Sequence, residues 1–415
     1  VHVKVPALAL VLAVALLPAL LALPSWPLTL ALAGSWLGWL GIGLLASSLL
    51  SMVREPVWAS AFGGLDRMYL WHHWLGVLGY AAVLAHPLLS LAPSRREDIP
   101  AAWSRLMSFS QTWPGELGWA ALLGLMLGLA STFAVRLRYS LWRPLHALLG
   151  AAVGFGVAHI VAVGGQRWSW LVAVPVALAL GWRALRADRG LGARPYEVNA
   201  VTHVSSELTE VTLRALATPA VAKPGQFVMA AFFEGPHFHG CGEYHPYSVS
   251  GGQANGTLVL SIKALGDCTR NIQALEPGVA VRVQGPYGSF LADRPTTPEL
   301  WIAGGIGITP FLSQLRAAPL TRSTVLIYVH RDPRDVPYLA ELKRYAAEQS
   351  QLHFHDLQLG SELAPLLSLL ESLPDLTAHH AYLCGPPPLV DAVRGRLAQR
   401  GVPPAHIHFE RFDFR

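Results

Sequence analysis

The sequence predicts a membrane protein: a bundle of six transmembrane helices, then a soluble module made of an antiparallel β-barrel and an α/β domain. Three observations carry this. The 415 residues are 52% hydrophobic and only 14% charged, where about 25% charged is usual for a soluble domain. The apolar residues are concentrated between about 5 and 186, in long runs of Leu, Ala, Val, Gly and Trp. From about 195 the pattern changes to short alternating strands, and from about 298 to strand–helix alternation. The expected domains are therefore 1–190, 195–296 and 297–415. The net charge of +5 is scattered, much of it in loops between apolar runs, which is not a nucleic-acid-binding signature. Cys241, Cys268 and Cys384 all lie in the soluble part and are too few for a disulfide framework.

The apolar runs are about 5–23, 28–52, 65–91, 115–134, 139–163 and 168–186. Each supplies most of the ~20 residues needed to span the hydrocarbon. Lys4, an apolar core and the small residues Ala31, Ala33 and Gly34 also mimic a signal peptide, whose removal would leave five spans. Six is the preferred reading, and an even number puts both termini on one side. That side receives Lys4, Arg54, Arg67, Arg136, Arg138, Arg143, Arg183, Arg186, Arg189 and Arg194. The other receives Arg167 and the 93–114 loop, where Arg95, Arg96 and Arg105 are diluted by Glu97 and Asp98. The positive-inside rule then places the termini and the soluble module in the cytoplasm.

Two of these runs carry histidine pairs: His72 with His86, and His146 with His159. Ionisable groups at membrane depth are functional candidates. Fourteen and thirteen positions advance a helix by about 21 and 20 Å, so two facing helices could clamp two stacked haems within a core about 30 Å thick. Four core histidines satisfied by hydrogen bonds are the alternative. At 100° per residue His72 and His86 share a face, while His146 and His159 stand about 140° apart. That requires a helix distorted near Gly150, Gly154 and Gly156, or two haems rotated against each other. His73 is an alternative to His72, disfavoured by the poorer face match.

In the soluble part, residues 196–218 alternate as barrel strands, and Lys223-Pro-Gly-Gln makes a turn into another. His245-Pro-Tyr-Ser-Val-Ser250 is a short aromatic-hydroxyl strand, able to set a ring edge-on to a flavin and a hydroxyl near its reactive nitrogen. Gly266-Asp-Cys-Thr269 opens a helical turn suited to a pyrophosphate. A small barrel with ordinary turns would also account for these stretches. Further on, Leu300-Trp-Ile-Ala leads into Gly304-Gly-Ile-Gly-Ile-Thr-Pro310 and an apolar helix. Here the glycines admit a phosphate, Thr309 caps the helix and Pro310 suits its first turn. Ala381-Tyr-Leu-Cys-Gly-Pro386 reads as a buried strand ending in a thiol and a tight turn.

Taken in order, these motifs resemble the ferric reductase and NADPH oxidase superfamily over nearly the whole chain. His-Pro-Tyr-Ser is similar to its flavin motif, Gly-Gly-Ile-Gly-Ile-Thr-Pro to its nucleotide loop, Cys-Gly-Pro to its nicotinamide-side motif, and the histidine pairs to its two-haem domain. The resemblance implies a ferredoxin-NADP reductase-like soluble module and b-type haems held by His72 with His146 and His86 with His159. It implies FAD contacts from His245, Pro246, Tyr247 and Ser248, with Gly266 and Thr269 on the pyrophosphate side. Gly304, Gly305, Gly307 and Thr309 would hold the dinucleotide phosphates. Cys384, Gly385 and Pro386 would line the nicotinamide side, and Phe414, with Phe412 as rival, would cover the flavin. Ser248, Cys384 and Phe414 are the residues expected at the hydride-transfer centre.

Relatives carry an aromatic between the haem levels where this chain has Ala152-Val153; Tyr80 or Phe155 would substitute. His330, Arg331 and Arg334, after the strand at 324–329, favour the 2′-phosphate of NADPH over NADH, with Asp332 against. His237-Phe-His-Gly-Cys241 is dense in metal-ligand types but reads as an exposed loop beside the flavin. The implied activity is electron transfer from cytoplasmic NADPH through FAD and two haems to an acceptor outside. Oxygen, giving superoxide, leads, ahead of a ferric chelate or a partner protein.

Overall fold

The computed structural model describes residues 4–23, 29–90, 99–133, 137, 139–164, 167–252, 256–292, 294–331, 336–360 and 362–411. The chain divides into two compact units, Val1–Leu191 and Gly192–Arg415.

The first unit is helical: α1 (Lys4–Leu21), α2 (Leu30–Leu50), α3 (Pro56–Ala61), α4 (Leu65–Ser90), α5 (Ile99–Ser110), α6 (Trp113–Phe133), α7 (Tyr139–Gly164) and α8 (Trp170–Trp182). The chain leaves α8 through a π-helical turn over Arg183–Asp188. The six predicted runs coincide with α1, α2, α4, α6, α7 and α8. Among the described residues, three helices are long and apolar enough to cross a membrane, over Leu30–Leu50, Trp113–Thr132 and Leu141–Val163. The others fall short for identifiable reasons: α4 carries Asp66, Arg67, His72, His73 and His86, and α8 has 13 residues before its backbone widens. The 93–114 segment, expected as a loop, contains α5. The charged run at 95–98 just before it masked a helical pattern in which Trp103 and Met107 stand four apart, both exposed.

Close packing, rather than a hydrophobic gradient, holds helices together in lipid, so small residues mark the contacts. A Cβ on Gly128 of α6 would lie 2.4 Å from Leu149 of α7, and one on Gly124 would lie 2.9 Å from Ala152. The latter contact explains why α7 is small at Ala152, where relatives were expected to carry an aromatic. α1 is tied to α2 by Ser47 Oγ, which donates to Val11 O at 2.8 Å, and by Trp36 Nε1, which donates to Ala19 O at 2.8 Å. At the other end Glu55 accepts from Trp182 Nε1 at 2.8 Å and pairs with Arg186 at 2.9 Å.

The second unit begins with a closed antiparallel barrel in the order β1-β2-β5-β4-β3-β6. Its strands are β1 (Arg194–His203), β2 (Leu208–Ala215), β3 (Phe227–Phe232), β4 (His245–Gly251), β5 (Thr257–Lys263) and β6 (Ala280–Tyr287). Alternate residues such as Val211, Leu213, Leu258, Leu260 and Val283 fill its core. A short helix, α9 (Asp267–Asn271), follows β5.

Then comes a parallel five-stranded sheet ordered β11-β10-β7-β8-β9. It comprises β7 (Glu299–Gly304), β8 (Thr324–His330), β9 (Leu352–Gln358), β10 (His380–Gly385) and β11 (Ile407–Arg411). Helices α10 (Thr309–Ala317), α11 (Leu339–Glu348), α12 (Ala364–Ser372) and α13 (Pro387–Gln399) cover it. Side chains alternate across the sheet: Trp301 and Tyr328 pack with Phe311 on one face, Ile302 and Ile327 with Leu370 and Val393 on the other. Arg316 of α10 joins sheet domain to barrel, reaching Glu210 and Glu341 at 2.8 Å each. Tyr338, at φ 62°, also donates its hydroxyl to Glu210 at 2.9 Å.

Candidate functional site

The helical unit presents the four predicted imidazoles in a common state. His72 Nδ1 lies 3.0 Å from Ser48 O, His86 Nδ1 2.9 Å from Gly34 O, and His159 Nδ1 2.7 Å from Pro114 O. A carbonyl only accepts, so Nδ1 carries the proton in each and Nε2 keeps its lone pair. His146 Nδ1 lies 3.2 Å from Thr132 Oγ1, whose own proton is given to Gly128 O at 2.9 Å. That hydroxyl therefore accepts from His146 as well. Four imidazoles with Nδ1 anchored and Nε2 available are in the state a metal-ligating histidine adopts.

Glycines make the anchoring possible. A Cβ on Gly38 would stand 2.9 Å from His86 Nδ1, and one on Gly118 2.9 Å from His159 Nδ1. The rings of His72 and His146 have centroids 6.0 Å apart at 74°. Two metal–nitrogen bonds of about 2 Å put the centres of two imidazoles on one metal roughly 6 Å apart, so this spacing fits haem. His73 is exposed and packs on Trp74 instead. α7 runs as one helix from Tyr139 to Gly164, with Pro144 inside it. Its two imidazoles both anchor to α6. Sequence reasoning missed the anchors Gly34, Ser48, Pro114 and Thr132. The hydroxyls in apolar helices were a usable signal; the backbone carbonyls were not.

In the barrel, β4 lies between β3 and β5, with Tyr247 opposite Val228 and Ser248 opposite Phe227. Tyr247 is buried, yet its hydroxyl has no hydrogen-bond partner among the described residues, as a group waiting for a ligand would be. Burial, and then the nearby Cys241 and Cys268, raise its pKa above the ordinary phenol value. Thr269 Oγ1 accepts from the backbone N–H of Leu265 and Gly266 at 2.9 and 2.8 Å, which closes the turn before α9.

The two nucleotide motifs, far apart in sequence, touch in the sheet domain. A Cβ on Gly307 would fall 2.2 Å from Cys384 O, and one on Gly304 2.9 Å from Pro386 Cδ. Gly305 adopts φ +55°, a conformation that favours glycine. Thr309 does not cap α10 with its side chain: Ile308 is the cap, and the fully buried Thr309 hydroxyl donates to Ile306 O at 2.9 Å. The glycine turn winds so tightly that a carbonyl within it, three residues before Thr309, is the acceptor that hydroxyl meets. Pro310 does occupy the first turn.

Cys384 is fully enclosed, and burial, then Glu410, hold its thiol well above the usual range. Gly385 and Pro386 make the turn out of β10. Arg331 is exposed just beyond β8. His330 is buried and bound to Asp356 at 2.7 Å, so it does not point toward a ligand. Phe412, Phe414, Asp332 and Arg334 lie outside the described residues. His237 is exposed and held by Glu276 at 3.2 Å.

Comparison with known proteins agrees with both units. Residues 37–157 match the family described as ferric reductase like transmembrane component, and residues 301–395 match the oxidoreductase NAD-binding domain. The first match includes His72, His86 and His146 and stops two residues short of His159; the second includes both nucleotide motifs. The chain is 28% identical over 229 residues to the ferredoxin–NAD(P)(+) reductase component of naphthalene 1,2-dioxygenase/salicylate 5-hydroxylase systems from Ralstonia sp, covering 52% of this chain and 67% of that one. It is 35% identical over 144 residues to the carnitine monooxygenase reductase subunit of Escherichia coli, covering 34% of this chain and 43% of that subunit. Among solved structures, phthalate dioxygenase reductase is 25% identical, with TM-score 0.46 over 55% of this chain and 70% of that one.

A ferric-reductase-like membrane component joined to a flavin- and NAD(P)-binding reductase module defines an NAD(P)H-dependent membrane oxidoreductase of ferric reductase type. A ferric reductase like transmembrane component followed by an oxidoreductase NAD-binding domain is the combination found in the ferric reductase and NADPH oxidase superfamily, which the chain resembles in both parts.

Proposed function

We propose that the chain moves electrons across a membrane, from cytoplasmic NADPH through FAD and two b-type haems to oxygen on the outer side, giving superoxide. When bound, the flavin and haems supply the two-electron to one-electron conversion and the path through the bilayer. The observation that carries the reading is the set of four imidazoles with Nδ1 donating and Nε2 available, together with the 6.0 Å spacing of His72 and His146 between α4 and α7. His72 and His146 would hold the inner haem, His86 and His159 the outer one. With two imidazoles assigned to each metal, an outside acceptor would receive electrons without binding it. The arginines of the 93–114 segment support a second reading, in which an anionic ferric chelate is the acceptor.

In the reductase unit, Tyr247 and Ser248 would contact the flavin, Gly304, Gly305 and Gly307 would admit the dinucleotide phosphates, and Arg331 would meet a 2′-phosphate. The domains would divide as 1–190, 195–296 and 297–415, with six crossings and cytoplasmic termini. The deciding experiment reduces the purified protein with NADPH without oxygen, then adds oxygen or a ferric chelate and compares reoxidation of the haem bands. Absence of low-spin b-type bands overturns the haem reading. Reoxidation by the chelate alone overturns oxygen as acceptor, and reoxidation by neither points to a partner protein.

A further inference from the structure

Three donors of the reductase unit converge at the edge of the flavin motif, where the expected flavin contacts leave the meeting of two thiols with an imidazole unexplained. Cys241 lies in the loop after β3, His245 opens β4, and Cys268 sits in the first turn of α9. Their sulfur and imidazole ligand atoms all lie within 4.8 Å of one another, and all three residues are half-buried. Glu243 adds a carboxylate oxygen 3.6 Å from His245 Nε2. We propose that Cys241, His245 and Cys268 form a binding site for a thiophilic d10 cation of the zinc type, with Glu243 placed to supply the fourth donor.

The donor set has the composition such a cation selects. Thiolate and imidazole together, in tetrahedral arrangement, favour zinc over hard cations such as magnesium or calcium. Bond lengths of about 2.3 Å to sulfur and 2.0–2.1 Å to nitrogen put tetrahedral donors roughly 4 Å apart, a spacing that small side-chain adjustments reach from the present one. The Cys241 and Cys268 sulfurs lie within 4.8 Å of each other and of His245, beside which the Glu243 carboxylate also stands. Several groups that become anions therefore crowd one point, and a divalent cation offsets their mutual repulsion. Binding replaces two S–H bonds by two S–metal bonds and releases two protons to solvent; no electrons move. The histidines of the preceding loop take no part: His237 and His239 are both exposed, and His237 is held by Glu276.

The site draws on three separate segments, the β3–β4 loop, the β4 start and α9, so an occupying cation would cross-link the barrel at the rim where Tyr247 is buried. Its test reads metal and thiols, independently of whether flavin binds as proposed. The full chain in detergent, reduced and stripped with a chelator, is dialysed against Zn2+. Zinc per chain is then measured by mass spectrometry, and Cys241 and Cys268 are mapped by alkylation with and without the metal. One zinc per chain is expected, with both thiols protected and the enclosed Cys384 unchanged. Cys241→Ser or Cys268→Ser should weaken binding at least about tenfold, and His237→Ala should leave it as it was. Protection in the unmodified chain stands even if a variant fails to fold. Equal alkylation with and without zinc, unchanged zinc in Cys268→Ser, or recovery of the two thiols as a disulfide from the reduced, zinc-treated chain would overturn the proposal.

Discussion

The protonation state of each imidazole is decided by one atom on a neighbouring helix. Because Ser48 O, Gly34 O and Pro114 O only accept, His72, His86 and His159 donate from Nδ1 and keep Nε2 for a ligand. Gly118 permits this at His159, where an added Cβ would stand 2.9 Å from Nδ1. Gly118→Val should displace the ring and reduce the haem count from two to one, read by pyridine haemochrome assay against protein; two haems in a folded variant would sink the assignment of His159. Arg331 bears on the nucleotide. One charge-assisted hydrogen bond is worth about 1.5–3 kcal/mol, so Arg331→Ala should raise KM for NADPH by at least about tenfold and leave that for NADH nearly unchanged. Equal effects on both would remove Arg331 from the 2′-phosphate.

Among the elements, the turn between β7 and α10 and the turn after β10 are built as a pair. Gly307 lies so near Cys384 O that Gly307→Ala overpacks the contact. A loss of about 1–3 kcal/mol is expected, seen as a lowered melting temperature of the reductase unit together with weaker nucleotide binding. The edge of the sheet has a different sensitivity. His380 on β10 stacks on His406 at 4.1 Å and lies 3.1 Å, Nδ1 to Nε2, from His408 on β11. Burial first, and then neighbouring imidazoles, lower the pKa of His380 and His408 below the ordinary histidine value. A folded state that prefers neutral imidazole keeps its full stability above about pH 6.5 and loses it as the pH falls below that value. Melting temperature should therefore fall between pH 7.5 and 5.5, and His380→Gln should reduce the fall. An unchanged fall in the variant would assign the acid sensitivity elsewhere.

At the scale of the whole molecule, the two units carry one proposed path with a direction. If electrons enter beside His72 and His146, His86→Leu should lose one haem and keep NADPH-driven reduction of the other. His72→Leu should abolish NADPH-driven reduction at both levels, although dithionite still reduces the haem that remains. The reverse order, read from the haem bands under anaerobic NADPH, would invert the assignment of the levels. The thirteen-residue spacing on α7 adds an expectation of geometry: with α7 running as one helix, the two imidazole pairs are rotated relative to each other about the bundle.

By itself the sequence determined the division into a helical membrane part, a barrel and a parallel-sheet domain. Hydrophobic runs, strand alternation and glycine turns are local patterns, readable wherever neighbours in the chain are neighbours in space. It also singled out His72, His86, His146 and His159, because imidazoles in apolar helices stand out against their background. Tertiary structure alone decided what those patterns conceal. The anchors of the imidazoles are backbone carbonyls and small residues, which carry no signature in a sequence. The contact of Gly307 with Cys384, the enclosure of His330 by Asp356 and the meeting of Cys241 with Cys268 join segments whose separation along the chain says nothing of their distance. Helix α5 escaped notice because the charged run at 95–98 just before it made the whole segment read as a loop. A sequence records which groups are present; their chemistry here depends on which atom each one faces, and the packing of the chain sets that.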